Sequence, residues 1–195
     1  EWTESPDFSF WKRPIRELTG KTLGLVGFGD IGGRVGRIAN ALGMPVVATT
    51  GGSSPDPDWG PFELVESAEA VFERSDYVSL HCPLTDETEQ MVDAALLRQL
   101  SDSSYLVNTA RGELIDEEAL AEALEQGELA GAAVDVVSSE PIDSDNPLLT
   151  APNCVITPHI AWTSLEARER LVQTTADNIS AYLDGDPINV VNNPR

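Results

Sequence analysis

Positive charge is what this chain has least of. Its 195 residues carry 12 lysines and arginines against 33 aspartates and glutamates, a net charge of −21, and lysine occurs only at Lys12 and Lys21. Such a surface repels the phosphates of nucleic acid and of anionic membranes, so neither is an expected partner. Two readings of the excess acid stay open: a host of high internal salt, where screening relieves self-repulsion, or simply an acidic protein. Cysteine is almost as sparse. Cys82 and Cys154 alone make no disulfide framework and suit a reducing cytoplasm. Histidine occurs only at His81 and His159. Two distant imidazoles without a cysteine cluster give no ligand set, so no metal is expected. No apolar run reaches the roughly 18 residues of a membrane span, and no charged-then-apolar leader opens the chain. A cytoplasmic protein is the expectation. The hydrophobic content of 41% suffices for one good core.

The first 20 residues hold Trp2, Phe8, Phe10 and Trp11 among prolines and polar residues. Either these aromatics pack back on their own domain, or they form an arm that buries them against a partner subunit. From Lys21 the pattern is regular. "KTLGLVGFG" reads as a strand running into glycines, and "IGGRVGRIANALG" as a helix through Ile31, Val35, Ile38, Ala39 and Leu42. "MPVVATT" is a strand, "SPDPDWGPF" a proline-rich loop, "LVESAEAVFERS" one or two short helices, and "YVSLHCPL" a strand. "DAALLRQL" is a helix, "SYLVNTA" a strand, and "DEEALAEALEQGELA" a helix opened by acids, which favour the positive end of its dipole, and stopped at Gly127. "GAAVDVV" and "CVITPHI" are strands, and a long helix follows with Ser164 as cap and Gly185 as stop. Near-continuous apolar strands alternating with helices predict an α/β fold, a doubly wound parallel sheet of Rossmann type covered on both faces. The dinucleotide-binding domain is expected over 21–185, between an aromatic arm (1–20) and a C-terminal segment (186–195). Ligands of such sheets sit outside the carboxyl ends of the strands.

"GFGDIG", Gly27 to Gly32, matches G-x-G-x-x-G between a strand and a helix, the context that gives the pattern meaning. Gly27 allows the tight turn, Gly29 lets amides approach a pyrophosphate, and Gly32 lets the helix pack on the strand. The amides of Asp30 and Ile31 lie where the helix dipole favours phosphate. An acid is expected at the end of the second strand to hold the adenine ribose, yet Thr49 and Thr50 stand there without a neighbouring acid, arginine or lysine. NAD and NADP therefore both stay open. Arg111, in "NTARGELID", stands just past a strand end, either as a solvated charge or as an anion-binding guanidinium at the sheet rim. His159 follows Pro158 at the end of the last strand, and Glu140 follows the "GAAVDVV" strand. A carboxylate beside an imidazole raises its pKa and fixes its tautomer, which prepares it to donate a proton.

"GLVGFGDIG", "NTARGELIDEEALAEAL", "AAVDVVSSEP" and "NCVITPHIAW" closely resemble the D-isomer-specific 2-hydroxyacid dehydrogenases over nearly the whole chain. "SPDFSFW" and "TPHIAWTSLEARERL" look most like the glycerate dehydrogenase/hydroxypyruvate reductase branch. The resemblance implies hydride transfer between NAD(P)H and a small 2-oxo or D-2-hydroxy acid, with glycerate/hydroxypyruvate or glyoxylate as substrate. It implies His159 as proton donor, Glu140 as its support and Arg111 as a fork on the substrate carboxylate. It further implies that Cys82, Thr88, Thr109, Ala110 and Asp135 line the cofactor cleft, and that the aromatic arm reaches a second subunit of a homodimer. The family's substrate domain is built mainly from about a hundred residues ahead of the cofactor domain. The chain thus reads as a cofactor domain whose 186–195 segment leads towards a missing substrate domain, one that binds the dinucleotide and turns over poorly. Two alternatives stand beside this reading. One is a dinucleotide-binding regulatory module without catalysis; the other is a different substrate of the family, such as formate, phosphoglycerate, lactate or phosphite.

Overall fold

Short, mostly apolar runs make the strands; the five inner ones are largely buried, whereas the two at the sheet edges are not. A computed structural model describes residues 2–12, 15–52 and 56–192. Parts of the loop after the second strand (53–55) and of the C-terminal segment (193–195) therefore lie outside the described residues. The chain divides after Ile156 into two compact units. The first holds the whole sheet; the second holds the last helix.

Seven strands form one parallel sheet: β1 (Leu23–Val26), β2 (Val46–Thr49), β3 (Phe62–Leu64), β4 (Tyr77–Leu80), β5 (Tyr105–Asn108), β6 (Gly131–Val134) and β7 (Cys154–Ile156). Their spatial order is β3-β2-β1-β4-β5-β6-β7. The chain leaves β1 in one direction, runs to the β3 edge, then crosses back to β4 on the other flank of β1. That reversal, where Val26 pairs with Thr49 on one side and Leu80 on the other, is where a doubly wound sheet opens a crevice. Leu25, Val78, Leu80 and Leu106 are wholly buried, each contributing about 1.5–3 kcal/mol.

The helix α1 (Asp30–Ala41) follows β1. Its packing face differs from the apolar stripe read from spacing. Gly32, Gly36 and Ala39 are buried, whereas Ile31, Ile38 and Leu42 are exposed. Small residues at i, i+4 and i+7 let the helix lie close to the sheet and to Trp59, whose ring would meet a Cβ at Gly36 at 2.7 Å. The helices α2 (Ala68–Glu73), α3 (Ala94–Leu97) and α4 (Glu117–Gln126) cover the sheet further on. Each is capped by a side chain, respectively Ser67, Asp93 and Asp116, which satisfies one of the free amides of a helix start. In α4 the buried Leu120, Ala121, Ala123 and Leu124 form one face, and Gly127 at φ 70° ends the helix as the left-handed residue that only glycine adopts freely.

Two expectations meet a different outcome here. The sequence pattern places residues 62–64 at the end of a loop and the start of a helix; they form β3, a three-residue edge strand whose last two residues are exposed, so no alternation marks it. The last strand stops at Ile156, and His159 lies three residues beyond it. Pro158 has no amide to continue a ladder, and His159 takes a positive φ of 52°.

The second unit carries α5 (Leu165–Leu183), capped by Ser164 through the Ala167 amide at 3.2 Å. Gly185, at φ 82°, follows it. None of its residues is buried. Among the described residues no helix is long and apolar enough to cross a membrane.

Candidate functional site

The glycine turn sets the geometry of the crevice. Gly27 has φ 98°, and a Cβ there would lie 2.6 Å from the His81 carbonyl carbon and the Cys82 amide. A Cβ on Gly32 would strike the Gly27 carbonyl. Around Gly29 there is nothing within 4 Å of a Cβ position. The two outer glycines thus make β1, the turn and α1 close on one another, and the middle one faces open space. Gly29 is also the N-cap of α1 and supplies no side-chain acceptor, unlike the caps of α2 to α5. The amides of Asp30 and Ile31 open the helix there, where the dipole favours an anion.

Beside this turn lies a cavity of about 480 Å³ lined by Ile31, His81, Cys82, Pro83, Leu84, Thr109, Ala110 and Arg111. Its walls are the start of α1 and the loops after β4 and β5. Open space over the turn and an uncapped helix start fit a dinucleotide pyrophosphate. Thr49 ends β2, and its carbonyl accepts from the Gly27 amide at 3.0 Å. Thr50 Oγ1 accepts from the Gly52 amide at 3.2 Å, folding a short turn where a ribose-binding acid is otherwise expected.

Arg111 is exposed at the cavity rim. Its Nη1 donates to the Ala110 carbonyl at 2.6 Å, and no ion pair with a carboxylate is found for it among the described residues. Thr109 is exposed and Ala110 half-buried. Thr88 stands one step back: its hydroxyl donates to the Pro83 carbonyl at 2.7 Å and accepts from the Thr85 amide at 2.8 Å, shaping the loop after β4. Asp135 is buried just past β6, and its amide donates to the Asn108 carbonyl at 2.9 Å. Glu140 is exposed and accepts from the Val137 amide at 3.3 Å.

The loops after β5 and β6 are clamped together, because a Cβ on Gly112 would overlap the Val137 carbonyl group and the Ser138 amide. Glu117, opening α4, accepts from the Ser138 amide (2.8 Å), the Ser138 hydroxyl (2.7 Å) and Asn146 (2.9 Å). It thereby ties down both ends of the loop that carries Glu140. His159 belongs to the second unit, half-buried, with its amide donating to the Thr157 carbonyl at 3.0 Å.

Sequence reasoning does not pick out three cavity residues, His81, Pro83 and Leu84, nor the buried strand-end support Asn108. "HCPL" directly after the crossover strand β4 is the signal for the first three. His81 Nε2 lies 3.0 Å from Ser79 Oγ. Burial holds its pKa below the ordinary value, so the ring is neutral near pH 7. Burial pushes the Cys82 thiol up, away from a reactive thiolate. Phe28, inside the glycine turn, packs on Phe62 and Trp59 with ring centroids 4.8 and 6.1 Å away. The turn is thus buttressed by Trp59 of the loop after β2 and by Phe62 at the start of β3.

Comparison with known proteins agrees with this geometry. The family model of the D-isomer specific 2-hydroxyacid dehydrogenase, NAD binding domain, matches residues 2–161. The hydroxypyruvate reductase of Blautia hydrogenotrophica is 44% identical over 192 residues, covering 98% of this chain and 59% of that protein. The glycerate dehydrogenase of Methylorubrum extorquens is 40% identical over 193 residues, with the same coverage of 98% and 59%. A solved acyclic imino acid reductase in complex with NADPH and D-Arg superposes with a TM-score of 0.82 at 36% identity, over 92% of this chain and 56% of that one. The chain spans about three fifths of the length of the relatives it matches. Since the match runs through the sheet, the glycine turn and the cleft loops alike, the chain belongs to the D-isomer specific 2-hydroxyacid dehydrogenase family, of which it forms the NAD binding domain.

Proposed function

We propose that the protein to which this domain belongs reduces a small 2-oxo acid to its D-2-hydroxy acid, or runs the reverse reaction. Hydroxypyruvate/glycerate and glyoxylate are the substrates favoured by the names of the relatives. The observation that carries the reading is Arg111. An always-charged guanidinium lines the same cavity as the uncapped start of α1. A dinucleotide held at one end of that cavity leaves the arginine facing whatever sits beside its reactive ring.

Bound reduced nicotinamide supplies the hydride. Arg111 forks onto the carboxylate and carbonyl of the substrate, which orients it. His159 gives the proton to the carbonyl oxygen and takes it back in the reverse direction. Glu140 stabilises the imidazolium. Asp30 and Ile31 amides hold the pyrophosphate, and Gly27, Gly29 and Gly32 shape its seat. Thr49 and Thr50 face the adenine ribose, with no carboxylate to repel a 2′-phosphate, so NADP as well as NAD is accommodated. Cys82, Thr109 and Ala110 line the nicotinamide side, with Asp135 and Thr88 holding the loops around it. Residues 21–185 form the working domain; 186–195 lead to the substrate domain, and 1–20 form an arm. Exposed Trp2, Phe8 and Trp11 support burial of that arm in a homodimer. Two free cysteines support a cytoplasmic location.

The test is calorimetric titration of the 195-residue chain with NADH and NADPH, followed by assay of NADH oxidation with hydroxypyruvate and glyoxylate. Binding of either dinucleotide is expected, with little turnover from these residues alone. Absence of binding at any salt concentration would sink the reading. In any form of the protein that turns over, His159→Gln should abolish turnover and leave dinucleotide affinity intact. Light scattering of the chain with Trp2, Phe8 and Trp11 changed to serine tests the dimer; an unchanged molecular mass would refute the arm's role.

A further inference from the structure

We infer that Asn108 is the positioning residue of the cleft arginine: its buried amide sets the backbone of Thr109, Ala110 and Arg111 before any ligand arrives. The inference rests on the reading of the cavity as the dinucleotide and substrate site. Asn108 ends β5 and is wholly buried. Its Oδ1 accepts from the Ala110 amide at 3.0 Å, and its Nδ2 donates to the Arg111 carbonyl at 2.7 Å. Its own carbonyl accepts from the Asp135 amide at 2.9 Å, which joins the turn to the end of β6.

One side chain thus uses a donor and an acceptor together to fold four residues back on themselves. Only asparagine carries a carbonyl oxygen and an NH2 side by side on one planar group one methylene from the backbone. Aspartate keeps the acceptor and loses the donor. Leucine has the volume and neither group. On the other side of Arg111, Gly112 is pressed against the Val137 carbonyl and the Ser138 amide. Residue 111 is therefore held from both directions in extended conformation, φ −142° and ψ 142°, and its guanidinium is sent out to the cavity rim. The buried amide touches no ligand. It acts through the loop, by removing the ordering that binding would otherwise require.

The first measurement needs no substitution. In the free 195-residue chain the Ala110 amide should exchange with solvent deuterium as slowly as the amides of β5. Exchange at the rate of an open loop, slowed only when NADH is added, would overturn the inference. The second measurement compares Asn108→Ala with Val78→Ala, a wholly buried control in β4 that bonds none of residues 109–111 and whose ladder partner is Leu106. At matched loss of thermal stability, Asn108→Ala should weaken NADH binding roughly five- to tenfold, the cost of ordering the loop on binding, and Val78→Ala should not. Asn108→Asp should keep Ala110 protected while affinity still falls; if the alanine variant does not fold, Asn108→Leu, which keeps the volume and loses both groups, replaces it. Equal affinities in the Asn108 variant and the control sink this inference alone. Failure of the unaltered chain to bind NADH or NADPH sinks the reading of the cavity and this inference with it, even where Ala110 is protected.

Discussion

The three glycines of the turn stand in one motif, yet alanine should act on each for a different reason. At Gly29, φ is −92° and no atom lies within 4 Å of the new methyl. An alanine fits the folded chain without strain, so stability should stay within about 0.5 kcal/mol of the parent, as for other surface substitutions. The methyl does occupy the space over the start of α1. A pyrophosphate pushed outward loses at least one charge-assisted bond to an amide, about 1.5–3 kcal/mol, or roughly 10- to 150-fold in affinity. At Gly32 the methyl would overlap the Gly27 carbonyl. At Gly27 it would add a left-handed φ of 98° to contacts of 2.6 Å, and the conformation alone costs about 1–2 kcal/mol. Both should lower the melting temperature as well as affinity. The assay is paired: thermal unfolding by circular dichroism, and NADH titration by fluorescence well below the transition. Gly29→Ala should separate the two readouts, with unchanged melting and lost binding. Unchanged affinity in Gly29→Ala would refute the placement of the pyrophosphate; a melting loss equal to that of Gly32→Ala would refute the account of the open space.

Arg111→Ala should leave the melting temperature unchanged, because among the described residues the exposed guanidinium bonds only its neighbour's carbonyl, while in a form of the protein that turns over the rate with hydroxypyruvate falls at least ~100-fold through loss of a bidentate charged contact; a large melting loss would contradict this. The neutral, half-buried His81 gives a pH signature: its folded pKa is depressed, so the unfolded chain binds the proton first, and stability is lost as pH falls below about 6.5. Thermal melts from pH 8 to 5 should show that loss, and His81→Gln should flatten it. Salt should stabilise the chain, since a net charge of −21 repels itself and the Debye length shrinks from about 10 Å at 0.1 M to about 3 Å at 1 M. Melting temperatures indifferent to potassium chloride would argue against self-repulsion as a destabilising force.

The sheet was legible because its strands are short, apolar and separated by helices whose ends are chemically marked. Asp116, Gly127 and Ser164 mark such ends, and each sits where its chemistry places it. β3 was not legible. An edge strand of three residues with Glu63 paired to Arg74 has neither alternation nor burial to signal it. The buried face of α1 misled for a related reason: close approach to the sheet selects Gly32, Gly36 and Ala39, while apolar periodicity points to the larger residues beside them. In the cleft, residues that would face a ligand stood out by chemical type, as Arg111 did. Their supports did not. "YLVNTARG" offers an asparagine able to bond forward to residues 110 and 111, but the same residue type serves many other turns and loops, so the spacing alone does not select this one.

This division has a consequence for how substitutions in the cleft behave. Arg111 is exposed, and among the described residues its guanidinium bonds only the Ala110 carbonyl, so evolution or an experimenter can change it at small cost in stability. Asn108, Gly112 and Glu117 carry no chemistry towards a substrate, yet they are buried or bonded into the loops they hold. Changes there reach the site through the backbone and alter stability at the same time. Glu117 makes the point most directly. It anchors Ser138 and Asn146 on either side of Glu140, and as the first residue of α4 it also favours the helix dipole. Glu117→Gln keeps the length and still accepts through one oxygen, while the other atom becomes a donor facing the Ser138 or Asn146 donors. Folding and function are therefore separable at the rim of this cleft and joined one layer beneath it, where the side chains that determine the loop geometry also hold the sheet together.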